Sequence, residues 1–492
     1  MNRLLLPSLL MLTLSFCADD NVQSRQGVTY DAEGNPVVTE SISNPEQTTP
    51  ALLLPVTGLK ITEVSVYQTV KIPIMKNFQE IPSRAAPIIS NKQLFMRIFF
   101  ETLPDWKARE VRARLHLENS KSQTKTLQSQ AYVEFSSTEG NIASTLNFEL
   151  EANWVTPDLT YFVELLEVSP ETDIPGDSTY SAWPKKGNMS SFNAVIPQEL
   201  KVVFVPVQYN ADGTGRLPDL SSNQRALYEE YLYTRYPASD INITIREAVQ
   251  WDDEISPNGQ GWTSLLNALQ NLRSQDNVDD KTYYYALIAP ASSFEAFCRR
   301  GCIAGVSPVI EDYRWGSARI GLGLGFSGTD STSTMLHELG HTHGREHAPC
   351  GLAGQESDHY YPNTNANLDN WGFGLSDYHL MAPHQFKDIM GYCNPTWVST
   401  YTYNALFERI SNVNTLTRIM PPKDEDISES WASLVLESFG ELKWGFPVRI
   451  GMMMGVEIVN VRYLDDNGAE HSRREGFFLP YEHTRGGAFY FP

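Results

Sequence analysis

HELGHTHGREH, residues 337–347, holds four of the chain's ten histidines within eleven positions. His337 and His341 stand four apart, so on an α-helix their rings share one face, one turn apart. Two neutral imidazoles so placed can bind one zinc ion. Glu338 sits about 100° round the helix from His337, where a carboxylate reaches a water on the metal but not the metal itself. That is the place of a general base for hydrolysis. Gly344 follows His341 by three residues. Glycine takes positive φ without strain, so it can end the helix and turn the chain. His347 can then approach the same metal from outside the helix. Three protein ligands leave a fourth position open, which is the catalytic rather than the closed structural arrangement. His343, six after His337, points away from the ligand face and reads as an exposed or supporting side chain.

His337, Glu338, His341, Gly344 and His347 complete the pattern H-E-x-x-H-x-x-G-x-x-H. It resembles the signature of the metzincin metalloproteases. At average composition a random match would occur on the order of once in 10⁵ chains of this length. The likeness covers residues 199–400. It implies an α/β catalytic domain with a twisted mixed sheet, an active-site helix and an irregular C-terminal subdomain. It also implies one catalytic Zn2+ and a methionine turn beneath it. Met390, in DIMGYC (388–393), is the candidate; Met381, in HLMAP, is a rival without the look of the motif. The Met-x-Tyr order is similar to that of astacin-like and serralysin-like metzincins, which implies Tyr392 as an oxyanion stabiliser. The alternative is a packed tyrosine with a satisfied hydroxyl.

ARIGLGLGF, residues 318–326, alternates Ile320, Leu322, Leu324 and Phe326 with Gly321, Gly323 and Gly325. The period of two predicts a strand, and three glycines on one face suggest close approach of another backbone. In metzincins an edge strand just before the active helix holds extended substrate by main-chain hydrogen bonds, which implies a substrate groove here. The alternative is a tightly packed buried strand.

A net charge of −21 argues against nucleic acid and anionic membrane surfaces as partners. Arg3 followed by the apolar run Leu4–Phe16 reads as a signal peptide, too short to span a bilayer comfortably. LSFC resembles a bacterial lipobox with Cys17 as the lipidated residue, although Phe16 stands where a small residue is usual. The expected location is therefore outside the cytoplasm, as a bacterial cell-surface or outer-membrane lipoprotein, with free secretion as the alternative. The membrane would be met only through that anchor. Of five cysteines, Cys17 set aside leaves four. The favoured pairs are Cys298–Cys302 and Cys350–Cys393, the second tying the third-ligand loop to the methionine turn. A four-thiolate zinc site is less suited to an oxidising compartment.

Five regions follow along the chain. Residues 1–17 are the signal peptide and 18–50 a polar, flexible tether. Residues 51–198 carry alternating runs such as VRARLHLE, STLNFELE and LTYFVELLEV, and predict an immunoglobulin-like β-sandwich. Residues 199–420 run strand, helix, helix, strand, glycine-rich strand, zinc helix, an α/β order. Residues 421–492 predict a small β-rich domain with a hairpin turn at Asn467–Gly468. LDDNGAE and NADGTG do not keep EF-hand spacing and read as turns, leaving structural Ca2+ open. His359, His379 and His384 read as core or supporting residues rather than ligands.

These expectations converge on an exported zinc metalloendopeptidase acting on extracellular proteins or glycoproteins. The layout is similar to secreted bacterial metalloproteases, including those that cleave mucin-type glycoproteins. A surface adhesin or glycan-binding lipoprotein on a metzincin scaffold is the second reading, and a cell-wall zinc amidase the third. Specificity, oligomeric state and the role of 51–198 are not legible.

Overall fold

The computed structural model describes residues 54–168, 176–196, 198–351, 357–416, 430–450, 457–465 and 467–492, with a short strand pair at Thr29–Tyr30 and Pro36–Val37. The expected signal peptide, Cys17 and most of the expected 18–50 tether lie outside the described residues. The chain is rich in β-sheet, with few helices and more than one architectural region. Among the described residues no helix is long and apolar enough to cross a membrane.

The first region is a sandwich of two antiparallel sheets. One places Arg109–Glu118 between Thr124–Val133 and Thr160–Glu167. The other places Leu59–Tyr67 between Thr69–Lys76 and Leu94–Thr102. Alternation works as the sequence predicts: Val111, Ala113, Leu115 and Leu117 turn inward and are buried. They share one core with Ile61, Val64, Met96 and Ile98 of the opposite sheet. The second sheet is covered on its far side too. Gly372–Phe373 pairs with Thr69–Val70, and Phe373 stacks on Phe95 at 4.7 Å. Met390, Trp397 and Tyr403 join the core that the two sheets share. The segment after His347 is thus packed against the sandwich rather than apart from it.

The second region is a mixed sheet. Its strands are β1 (Leu200–Tyr209), β2 (Ile241–Ile245), β3 (Thr282–Ile288), β4 (Gly305–Val306) and β5 (Ile320–Leu324), in the order β2-β1-β3-β5-β4. The first four in that order are parallel and β4 is antiparallel at the rim. Strands β3 and β5 are buried along their whole length because helices cover both faces. On one face lie α1 (Ser222–Arg235), α3 (Thr329–Thr342) and α4 (Thr400–Thr415). On the other lies α2 (Trp262–Gln275), with Trp262, Leu265, Leu266 and Leu269 turned to the sheet as their spacing predicts.

The C-terminal strands are β6 (Ser430–Leu436), β7 (Glu457–Leu464), β8 (Glu470–Pro480) and β9 (Gly487–Phe491), ordered β6-β9-β8-β7. The hairpin turn at Asn467–Gly468 joins β7 to β8, with Gly468 at φ 79°. This sheet does not stand alone. Phe477, Leu479, Tyr481 and Tyr490 share the core of α2. Glu437 caps α2, accepting from Gly261 N at 3.1 Å and Ser264 N at 3.2 Å. Gly261 is the N-cap residue and has no side chain to do so, so the carboxylate takes the orphan donors and faces the positive end of the helix.

Candidate metal centre

Helix α3 carries His337, Glu338 and His341, and its end is built by glycine. Gly344 has φ 80°. Its N–H donates to His341 O at 2.8 Å, and Arg345 N donates to Gly340 O at 3.0 Å. Those two bonds are a Schellman cap. The chain then reverses, and Ala348 N donates to Met390 O at 3.0 Å. His347 is delivered by this reversal.

Four histidines converge: His337, His341, His347 and His483 each offer a nitrogen, all within 4.8 Å of one another. His337 Nδ1 donates to Ile389 O at 2.8 Å, and His341 Nδ1 to Arg345 O at 2.6 Å. Those carbonyls place the ring protons on Nδ1 and leave the Nε2 lone pairs facing inward. His337 Nε2 and His341 Nε2 are 3.1 Å apart. Two lone pairs at that distance repel, and a cation between them removes the repulsion. Tetrahedral zinc with bonds of about 2.0–2.1 Å requires nitrogens about 3.3 Å apart. The group therefore fits a metal ion.

Burial sets the charge state. Desolvation, helped by neighbouring His483, holds His337 down at about 4. Desolvation and the surrounding imidazoles push His341 well below the ordinary histidine value, and His347 falls to about 2. All three are neutral at pH 7, the form that ligates. His483 goes the other way. Burial, the largest single influence, lowers it, but the carboxylates of Glu338 and Glu482 together raise it on balance.

Glu338 is 2% exposed. One oxygen accepts from Ser307 Oγ at 2.6 Å, and the other lies 3.0 Å from His483 Nε2, as an ion pair poorly aligned for a hydrogen bond. Gly305 makes room for it: a Cβ there would lie 2.6 Å from Glu338 Cγ and Oε1. In front of these groups opens a cavity of about 650 Å3, lined by Ile303, Ala304, Gly305, Glu338, Tyr392 and His483 among others.

Met390 lies under the helix, 1% exposed. A Cβ on Gly340 would sit 2.3 Å from its Sδ, so glycine is what lets the turn pack so close. Asp388 fixes the turn, accepting from Met390 N at 2.9 Å and Ser399 N at 3.0 Å. Met381 lies elsewhere, in a short strand beside Gly372. Both expected disulfides are present, Cys298–Cys302 and Cys350–Cys393. The second, with Tyr392 N donating to Cys350 O at 2.9 Å, holds the segment after His347 against the turn that carries Met390. The Tyr392 hydroxyl is 2.9 Å from His347 Nε2 and 2.5 Å from His483 Nδ1.

Three expectations change. Gly321, Gly323 and Gly325 do not line a groove. Strand β5 is interior, between β3 and β4, and the rim belongs to β4. The glycines serve packing instead: Cβ atoms at 321 and 323 would meet the Tyr285 ring at 3.1 Å and its hydroxyl at 2.1 Å, and one at 325 would meet Pro218 at 2.5 Å. His343 points away from the metal group, as its spacing says, but it is buried, stacked on Tyr283 at 4.4 Å. His359, His379 and His384 are exposed and outside the metal group. His483 is the residue that sequence reasoning missed. It sits in the turn between β8 and β9 with no ligand spacing around it.

No known protein family matches the chain, and no curated protein matches it.

Proposed function

We propose that this protein is an exported zinc metalloendopeptidase of metzincin type, anchored through a lipid on Cys17 and acting on extracellular proteins or glycoproteins. The observation that carries this reading is the Glu338 carboxylate beside three converging neutral histidines at the head of an open cleft. A metal held for structure alone has no need of a carboxylate at that place. The order β2-β1-β3-β5-β4, with an antiparallel rim strand before α3, suits the family likeness of the zinc motif and Met390.

His337, His341 and His347 would hold the zinc. The ion, when bound, supplies Lewis-acid chemistry. Glu338 takes a proton from the attacking water, whose oxygen adds to the scissile carbonyl carbon. Glu338 then returns that proton to the nitrogen as the C–N bond breaks. Ser307 holds one carboxylate oxygen, so the other is aimed. Tyr392, beside His347, donates to the developing oxyanion. The rim at Ile303–Gly305 aligns an extended peptide through its main chain.

A glycan- or protein-binding surface role is the second reading, favoured by Phe439, Trp444 and Phe446, exposed on and beside the C-terminal sheet. The test that separates the two uses zinc-loaded residues 18–492 and the Glu338→Gln variant. Both are incubated with unfolded proteins and O-glycosylated glycoproteins, and new N-termini are read by mass spectrometry. Cleavage by the parent alone supports the peptidase. Binding without cleavage by either supports the second reading.

A further inference from the structure

We propose that the tip of the C-terminal hairpin, Glu482–Thr484, is an intramolecular plug, with His483 as a fourth ligand that closes the metal centre to substrate. The consequence for catalysis rests on the peptidase reading; the ligand assignment does not.

Strands β8 and β9 pair from Phe477↔Tyr490 to Pro480↔Gly487. Tyr481 N donates to Gly486 O at 3.1 Å, closing the loop. The stem is anchored on α2: Tyr481 and Tyr490 share a hydroxyl bond at 3.0 Å, and Tyr490 also bonds Gln270. Only the tip enters the site. His483 adopts φ 66°, a left-handed conformation uncommon outside glycine. A histidine in that conformation at a hairpin tip would ordinarily face solvent. Here its side chain is only 10% exposed.

Three contacts define the plug. His483 lies 3.0 Å from Glu338 and 2.5 Å from the Tyr392 hydroxyl, so it occupies both groups that the reaction needs free. Its ring centroid is 5.1, 5.2 and 4.9 Å from those of His337, His341 and His347, no further than those rings are from one another in the widest case, 5.3 Å. It is thus a member of the nitrogen group rather than a neighbour of it. Glu482 N donates to Ser307 O at 2.9 Å, next to rim strand β4. That carbonyl is one an extended chain laid along the rim would use, so the tip takes a substrate contact as well as a ligand position. Four nitrogens around one ion make a closed site, whereas catalysis needs one position open.

The stem can stay in place while the tip leaves, because the core contacts belong to Tyr481, Tyr490 and the strands. A peptide or small ligand therefore competes with an intramolecular histidine held at high effective concentration, and its apparent affinity falls by the fraction of open tip.

The test uses residues 18–492 with Co2+ as the spectroscopic probe, comparing parent, His483→Ala and His483→Phe. The parent is expected to keep its visible spectrum unchanged in azide. Both variants are expected to respond to azide, with apparent affinity about tenfold or more above the parent. Imidazole added to His483→Ala should restore the parent spectrum and suppress the azide response. The phenylalanine variant keeps ring volume without a ligand atom, so it carries the same readouts if alanine impairs folding. In the zinc form, kcat/KM for any peptide cleaved should rise about tenfold in His483→Ala. An azide response in the parent equal to that in the variants overturns the plug, as does a fall in kcat/KM in a folded His483→Ala chain. No cleavage by any form, with azide binding confined to the variants, retains the plug and removes the peptidase reading.

Discussion

Gly305→Ala should disarm the site while leaving its metal group assembled. A Cβ at 305 would lie 2.6 Å from Glu338 Cγ and Oε1 and 2.8 Å from its Cδ. Carbon atoms rest at about 3.5–4.0 Å, so the carboxylate must retreat by about 1 Å. It has little freedom to do so gently. Its backbone is fixed in α3, and Ser307 holds one oxygen at 2.6 Å. Misplacing a reacting group by about 1 Å costs on the order of 10²-fold in rate. Overpacking of this kind costs about 1–3 kcal/mol of stability. None of His337, His341 and His347 is among the atoms nearest that Cβ, so zinc stoichiometry should hold at one per chain. The assay is kcat/KM on a cleaved peptide in the His483→Ala background, with metal content and a denaturation curve for each variant. A kcat/KM within about twofold of the glycine form, at equal zinc content, would refute the claim that Gly305 seats the Glu338 carboxylate for the proposed reaction.

Replacing Cys350 and Cys393 together with serine opens a link of sequence separation 43. The loop-entropy relation gives about 4 kcal/mol lost, read as a lower guanidinium midpoint, and zinc affinity should fall with it because the bridge anchors the segment just after His347; an unchanged midpoint removes the bridge from the account. Lys92 is fully buried, with its amine donating to Tyr236 O at 2.6 Å, and burial lowers it to about 7. Its folded value lies below the unfolded one, so between about pH 7 and 10 the unfolded chain binds the extra proton and stability rises with pH. Lys92→Met should therefore exceed the parent in urea midpoint at pH 7, by a margin that narrows towards pH 9; a constant margin contradicts this.

Local chemistry made much of the site legible. Gly344 could be assigned as a helix terminator because only a left-handed residue builds the cap that turns His347 back. The cysteine pairs were legible because Cys350 and Cys393 follow His347 and Met390 at equal spacing. Periodicity identified strands β1, β3 and β5, but it does not say what covers a strand. The glycine face of β5 did signal a close approach, and the neighbour proved to be the Tyr285 side chain rather than a substrate. His483 was illegible for a related reason. Its partners are remote in sequence, and only the packing of the C-terminal sheet on α2 brings its turn to the metal group. The same packing is invisible in the strand patterns of 421–492, which read as a separate small domain.

The most direct test of the central claim is cleavage by zinc-loaded residues 18–492 against Glu338→Gln, each made in the parent and in the His483→Ala background. The account predicts equal zinc in all four chains, new N-termini only where Glu338 is retained, and the highest yield from His483→Ala. Cleavage of equal rate with and without the Glu338 carboxylate would contradict it.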